Sequence, residues 1–371
     1  MKILLLSRYD RMGASSRLRS FQYLPFLRKQ GIRVDVSPLL DDSYLNDLYS
    51  GKKKRKMHII TRYFQRILQL VNSRDYNLLW IESELFPWLP AWAEHSLYRS
   101  GIRYAVDYDD AIFHRYDMHS NKWLRRFLGQ KIDRIMNHAA LVIAGNTYLA
   151  DRAHAAGAKR VEILPTVVDI DRYPLDTVYT ETGASKSGGC FTIGWIGSPV
   201  TAHYLYSVQP ALEEVGKETG ACLMTMGAGP VKIKQIRVTD VAWSEKTESQ
   251  FLNRIDVGIM PLPDTPWTRG KCGYKLIQYM ACGKPVIASA IGANINIVDH
   301  EKDGLLVSSQ KEWISALTRL SKDKQLRKKM GYHGRKKVEQ HYCLQITAEK
   351  LLYLLESCAG SFSFKYPFKY H

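Results

Sequence analysis

The chain has 371 residues, 45% of them apolar and 24% charged, which suits two folded domains and excludes a disordered polymer. Its 53 lysines and arginines against 36 acidic residues leave a net charge of +17, which demands an anionic partner: nucleic acid, acidic lipid or a phosphorylated small molecule. The six cysteines, Cys190, Cys222, Cys272, Cys282, Cys343 and Cys358, are scattered with no C-x-x-C pair, which argues against a zinc site or a disulfide framework and for a reducing cytoplasm.

Met1 to Asp10 holds too short an apolar run for a signal peptide. No window reaches the length of a membrane span, and the richest, Leu85 to Ala93, is broken by two prolines. Membrane contact is therefore expected to be peripheral.

Lys2 to Leu6 predicts a strand. The loop Ser7 to Ser15 contains Gly13, and Ser15 or Ser16 can cap a helix running to about Gln30. Ile32 to Val36 predicts the next strand, which makes a βαβ unit with a glycine loop where doubly wound sheets bind ligands. Further strands are expected at Leu78–Glu82, Tyr104–Asp107, Leu141–Gly145 and Glu162–Pro165, with helices between them. The first Rossmann-like domain is thus set at 1–175.

Thr177 to Gly189 is rich in Ser, Thr and Gly without apolar periodicity, so 176–190 is assigned as a linker. Phe191-Thr-Ile-Gly-Trp-Ile-Gly-Ser-Pro199 restarts the pattern, followed by a helix over about Thr201–Thr219. Strands are predicted near Cys222–Met226, Val257–Met260, Val286–Ser289 and Leu305–Val307. Helices close the chain at Trp313–Leu320, Gln325–Gln340 and Gln345–Ser357, giving a second domain over 191–340 and a C-terminal helix with a basic aromatic tail over 341–371.

The segment Arg269 to Ser289 carries the most chemistry. A turn bearing Arg269, Lys271, Gly273 and Lys275 leads into a helical run with Leu276, Ile277, Met280 and Ala281 on one face. Gly283 stops that helix, Pro285 forbids its resumption, and Val286-Ile-Ala288 reads as a buried strand. A basic loop delivered onto a helix N-terminus beside a parallel strand suits an anionic phosphate.

Two Rossmann-like lobes with the block Met280-Ala-Cys-Gly-Lys-Pro-Val-Ile-Ala-Ser289 resemble the GT-B fold of the retaining family 4 (group 1) glycosyltransferases. The likeness extends to the Gly13 loop, the Gly197-Ser-Pro-Val-Thr201 turn, Val257 to Pro263 and Asp303-Gly-Leu-Leu-Val307. It implies an α/β GT-B architecture: two domains facing across a central cleft, the first binding acceptor and the second the nucleotide sugar, with C-terminal helices packing back on the first. Many such enzymes carry two glutamates eight positions apart before the Met-Ala-x-Gly block, where this chain has Gly270 and Gln278. The second usually binds the donor ribose; Gln278 can still bond hydroxyls through its amide. The usual Arg and Lys after the first strand of the second lobe are replaced by Ser198, Thr201 and His203. Arg269, Lys271 and Lys275 are then expected to stabilise the leaving diphosphate.

The Gly197–Thr201 turn is expected to present backbone N–H groups and the Ser198 and Thr201 hydroxyls to that diphosphate, with Trp243 beside the nucleobase. On the acceptor or phosphate side, Arg17 would reach phosphates bidentately from the Gly13 loop. Asp107-Tyr-Asp-Asp-Ala-Ile-Phe-His114 ends a predicted strand; Asp109 leads for acceptor orientation, with Asp110 and His114 as helpers and Glu82 and Glu84 as weaker candidates. Structural readings compete at each place: capping at the turn and at the aspartates, a solvated turn for the lysines, a core Trp243, a surface Arg17. The resemblance implies no metal and no cofactor, since the nucleotide sugar is a substrate.

Lys52-Lys-Lys-Arg-Lys56 leads into Met57 to Leu70, where apolar residues near helical spacing alternate with arginines. Each such surface lysine is worth about 1 kcal/mol on an anionic leaflet; a docked core helix is the alternative. The function expected is a cytoplasmic, peripherally membrane-bound retaining glycosyltransferase of bacterial cell-surface polysaccharide assembly. Its partners would be a nucleoside-diphosphate sugar and a saccharide or lipid-linked acceptor. A sugar-nucleotide epimerase on the same fold is the alternative, and a nucleic-acid binder rests on charge alone: no recognisable nucleic-acid module accompanies it.

Overall fold

The structure, a computed structural model, describes residues 1–51, 56–175 and 189–360. Lys52, Lys53, Lys54, Arg55, most of the expected linker and the aromatic tail lie outside the described residues. The chain divides into two compact units: Met1–Pro165 with the segment from Thr347 onward, and Thr166–Ile346.

The first unit is built on a parallel sheet of β1 (Lys2–Tyr9), β2 (Arg33–Leu40), β3 (Leu78–Glu82), β4 (Tyr104–Tyr108), β5 (Leu141–Ala144) and β6 (Val161–Ile163), in the order β2-β1-β3-β4-β5-β6. The central strands read as unbroken apolar runs because helices cover both faces of a parallel sheet. Ile3, Leu5, Leu79, Ile81, Val106 and Val142 have no exposed surface, and each contributes about 1.5–3 kcal/mol through burial. The chain reverses its direction of sheet growth between β1 and β3, so the carboxyl ends of β1, β3 and β4 form the expected ligand edge.

The helix expected from Ser15 to Gln30 is broken into Ala14–Arg19, a 3-10 turn Phe21–Tyr23 and Leu24–Lys29. Ser20 leaves helical geometry with φ −131°, and Pro25 starts the last piece because it needs no N–H partner there. Gly13, not a serine, holds the N-cap position. The final helix, Leu344–Ala359, is tied within the first unit by Tyr23 Oη to Thr347 Oγ1 at 3.0 Å and Arg160 Nη1 to Ser357 Oγ at 2.7 Å.

The second unit holds β7 (Thr192–Ile196), β8 (Cys222–Met226), β9 (Arg237–Val241), β10 (Val257–Met260), β11 (Val286–Ser289) and β12 (Gly304–Val307), in the order β12-β11-β10-β7-β8-β9. This is the doubly wound 3-2-1-4-5-6 order, with its switch point between β7 and β10. Strand β9 is not foreseen, because Arg237-Val-Thr-Asp-Val241 sits at an edge with no buried residue and shows no apolar run. In place of one helix over Thr201–Thr219 there is a 3-10 stretch Pro199–Val208 and an α-helix Gln209–Thr219, restarted at Pro210.

Strand pairing also corrects the cysteine reading. Thr192 pairs with Cys222 across β7 and β8, which brings Cys190 beside Cys222 with Cα atoms 6.3 Å apart, and the two form a disulfide. A separation of 32 residues carries no sequence signal of that pairing. Cys272, Cys282, Cys343 and Cys358 are buried and take no part in that disulfide.

Candidate functional site

Two clusters, one in each unit, gather the expected residues at carboxyl ends of strands. In the second unit Gly197 and Ser198 leave β7 at the switch point. Their backbone groups do not offer themselves to a ligand as expected. Gly197 N donates to Met226 O at 3.0 Å, and Ser198 N to Thr201 Oγ1 at 3.3 Å. The turn closes its own donors because strand β8 and the Thr201 hydroxyl lie within reach, and Thr201 Oγ1 in turn donates to Ser198 O at 3.0 Å.

The cation at this turn comes from the neighbouring helix. Gly273, with φ 66°, occupies the N-cap of Tyr274–Ala281 in the left-handed conformation, which sets Lys275 in its first turn. Lys275 Nζ lies 4.9 Å from the Trp195 ring centroid, and a Cβ placed on Gly197 would come within 2.9 Å of Lys275 Cε. The lysine stem therefore runs directly along the strand-β7 turn, over an indole that restrains it. Lys271 Nζ stands 5.5 Å over the Trp267 ring. Arg269 is bound by Asp264 through two hydrogen bonds of 2.7 and 2.9 Å on the surface.

Gln278 is buried and donates from Nε2 to Tyr173 Oη at 3.3 Å. Tyr173 Oη donates to Glu248 Oε1, and Trp243 Nε1 donates to Glu248 Oε2 at 2.9 Å. A buried carboxylate thus links the exposed Trp243, through Tyr173, to Gln278. Sequence reasoning missed Glu248 and Tyr173. They lie 75 residues apart, belong to no motif, and are joined only by folding.

In the first unit, Gly13 sits where β1 hands over to its helix. A Cβ there would lie 2.4 Å from Tyr9 Cβ, so only glycine lets the loop fold back on the strand. Arg17 is buried and braces this loop by donating to Arg11 O at 3.2 Å and Met12 O at 3.4 Å. Ser15 Oγ donates to Asp109 Oδ2 at 2.5 Å, and Ser16 Oγ to Glu82 Oε2 at 2.5 Å. Two successive hydroxyls tie the loop to the ends of β4 and β3. The aspartate cluster divides its labour: Asp107 is buried against Arg19 Nε at 2.8 Å, while Asp109 and Asp110 face the loop edge, half-buried. His114 has both ring nitrogens engaged, Nδ1 with Asp117 and Nε2 with Tyr148 Oη, each at 2.9 Å. Glu84 is held by Lys131 Nζ at 2.5 Å and by Tyr116 Oη at 2.8 Å.

Burial, with the charge of Asp110 second, pushes Asp109 up to about 6. Glu82 is pushed up to about 7, again chiefly by burial, against the opposing hydrogen bond from Ser16. A carboxyl raised in the folded state contributes stability that is complete below the unfolded value near 4.5 and disappears as the pH rises through about 7. For Glu82 this is on the order of 3 kcal/mol. Glu82→Gln is expected to flatten the fall in urea midpoint of wild-type protein between pH 5 and pH 8. An identical pH slope in both proteins would show that Glu82 titrates normally.

Among the described residues, no group of three or more His, Cys, Asp or Glu side chains is placed to hold a metal ion. Two doubly wound parallel units, each with its charged cluster at the carboxyl edge, define the GT-B fold. Residues 191–323, which contain the Gly197 turn, Glu248 and Lys275, match the family model for glycosyl transferases group 1. The fold is shared along nearly the whole length of solved structures. A sucrose-phosphate synthase from Thermosynechococcus elongatus superposes with a TM-score of 0.74 at 15% identity, over 98% of this chain and all of that one. The Anabaena protein HepE, solved with UDP-glucose, gives 0.67 at 15% identity, covering 96% and 100%. A glycosyltransferase from Rickettsia africae gives 0.69 at 12% identity, covering 96% and 98%.

Proposed function

We infer that the chain is a glycosyltransferase that takes its sugar from a nucleoside diphosphate, with uridine diphosphate the first choice of carrier. Lys275 at the Gly197 turn, on the switch point of the second sheet, is the observation that carries this reading. A cation held there meets the charge that develops on a departing diphosphate. The group 1 match over this same segment supports it, as does the uridine nucleotide in the HepE complexes. Trp243, Glu248 and Gln278 form the adjoining face for the nucleoside or the sugar hydroxyls.

The reaction breaks the bond between the sugar C1 and the diphosphate oxygen, and the electron pair leaves with the diphosphate. An acceptor hydroxyl oxygen bonds to C1 on the same face, and its proton passes to the leaving phosphate oxygen. Configuration is retained, and no carboxylate of the protein is an obligatory base. Asp109 and the loop around Gly13 and Arg17 orient the acceptor, so losing Asp109 raises KM for acceptor more than it lowers the chemical step. Neither metal nor cofactor takes part. The acceptor is a saccharide or lipid-linked sugar of bacterial cell-surface polysaccharide assembly, met by an enzyme peripheral to the inner face of the membrane.

Incubation with UDP-, GDP- and ADP-sugars tests the reading. Slow donor hydrolysis with release of one nucleoside diphosphate is expected, with a rise in melting temperature on binding that nucleotide. Release of epimerised sugar nucleotide, or salt-sensitive oligonucleotide binding without any nucleotide-sugar affinity, would overturn it.

A further inference from the structure

The helix Lys56–Val71 docks on the first unit by its polar face. Arg66, buried, donates from Nη2 to Ser7 O and Ser37 O at 2.8 Å each. Arg62 reaches Pro38 O at 2.6 Å and Leu39 O at 3.2 Å, and Tyr63 Oη donates to Pro87 O at 2.9 Å. Most of the helix's apolar residues point the other way. Met57, Ile60, Phe64, Leu68 and Val71 recur at three- and four-residue steps, and their exposures are 73, 59, 58, 52 and 73%. A surface helix of a domain that meets only water shows the reverse arrangement.

A second helix, Lys122–Leu128, repeats the theme. Trp123 and Phe127 stack at 6.3 Å and are 70 and 68% exposed, flanked by Lys122, Arg125 and Arg126. Aromatic contacts adjoin each helix. Tyr63 packs on Phe86 at 5.6 Å and Phe86 on the exposed Trp92 at 5.5 Å. The exposed Trp88 meets His119 at 5.9 Å, and His119 Nδ1 accepts from the backbone of Asn121, which caps the second helix. Neither helix contains an acidic residue, and Lys52-Lys-Lys-Arg55 immediately precedes the first. An exposed apolar surface of this extent marks an interaction site. Rows of apolar side chains with tryptophans and flanking cations match the headgroup boundary of an anionic bilayer.

We propose that this face of the first unit is a membrane-binding surface. Phe64, Leu68, Trp123 and Phe127 enter the headgroup–acyl boundary while Lys122 and Arg126 meet lipid phosphates. Among the described residues no helix is long and apolar enough to cross a membrane, so the attachment lies in the plane of the leaflet. A second copy of the chain is the lesser occupant, because two faces of like positive charge repel. The proposal rests on the peripheral location proposed above and not on the sugar chemistry.

The test is co-sedimentation of the full chain with vesicles of phosphatidylcholine and phosphatidylglycerol in equal parts, against phosphatidylcholine alone. Wild-type protein is expected on the anionic vesicles, with a blue shift of tryptophan emission. Phe64→Ser with Leu68→Ser, and Trp123→Ser with Phe127→Ser, are each expected to lower the partition about tenfold or more. Their melting temperatures and lipid-free donor hydrolysis stay at wild-type values. Variants that bind like wild type would overturn the proposal in favour of charge adsorption alone. Protein that ignores vesicles but forms dimers lost in the variants would overturn it in favour of self-association. Vesicle binding without any donor hydrolysis would instead refute the transferase reading and leave this surface standing.

Discussion

Lys275→Ala is expected to lower kcat by about 10²–10³-fold at saturating donor, the cost of removing one preorganised donor to developing charge. The lysine lies along the Gly197 turn and is held over the Trp195 indole, so its ammonium is in place before charge develops. Losing the indole contact itself destabilises the fold by only about 0.5–1 kcal/mol, which separates a catalytic effect from an unfolding one. Lys275→Arg should recover part of the rate, because charge survives while the fork geometry differs from a compact ammonium. Lys271→Ala should also lower turnover, since its ammonium stands over Trp267 in the same segment. Release of nucleoside diphosphate, followed under saturating conditions, gives the measurement. Wild-type turnover in both alanine variants would remove these lysines from the phosphate site.

The second large effect concerns stability. Lys131→Met is expected to cost about 3–5 kcal/mol, because it strands a buried carboxylate. Lys131 Nζ holds Glu84 at 2.5 Å and Phe86 O at 2.6 Å, with both side chains 1% exposed. Arg8 Nη1 also pairs with Glu84, but at 3.5 Å it is the longer and weaker bond and replaces Lys131 only in part. Tyr116 Oη remains as a donor at 2.8 Å but brings no charge. Adding Glu84→Gln to Lys131→Met should recover part of the loss, since the uncompensated charge is then gone. Chemical unfolding of the first unit reads both variants; a loss below about 1 kcal/mol for Lys131→Met would mean that Arg8 and Tyr116 suffice.

These two groups differ in how legible they were. The structural setting of Lys275 is legible because it is local: a glycine turn, a helix start, and a Gly–Lys–Pro stop before a strand lie within one short segment. Glu84 and Lys131 were not paired in advance, because 47 residues separate them and an ion pair leaves no periodicity. The same reason hid the Tyr173–Glu248–Trp243 network beside Gln278, and the pairing of Cys190 with Cys222. Ser15 or Ser16 reads from the sequence as a helix cap because short-range hydrogen bonds are the default for serine. The carboxylates of Asp109 and Glu82, brought close by β3 and β4, took those hydroxyls instead.

Sequence by itself determined the strands buried on both faces, since such a parallel strand must be apolar along its length, and the punctuation between them, since glycine and proline act through their own backbones. It determined the basic composition and the glycine- and lysine-bearing turn that opens the helix Tyr274–Ala281. Only the tertiary structure decided which way the helix Lys56–Val71 faces. Its period is the same whether the apolar stripe is docked or bare. The choice fell to Arg66 and Arg62, whose carbonyl partners on β1 and β2 exist only once those strands have paired.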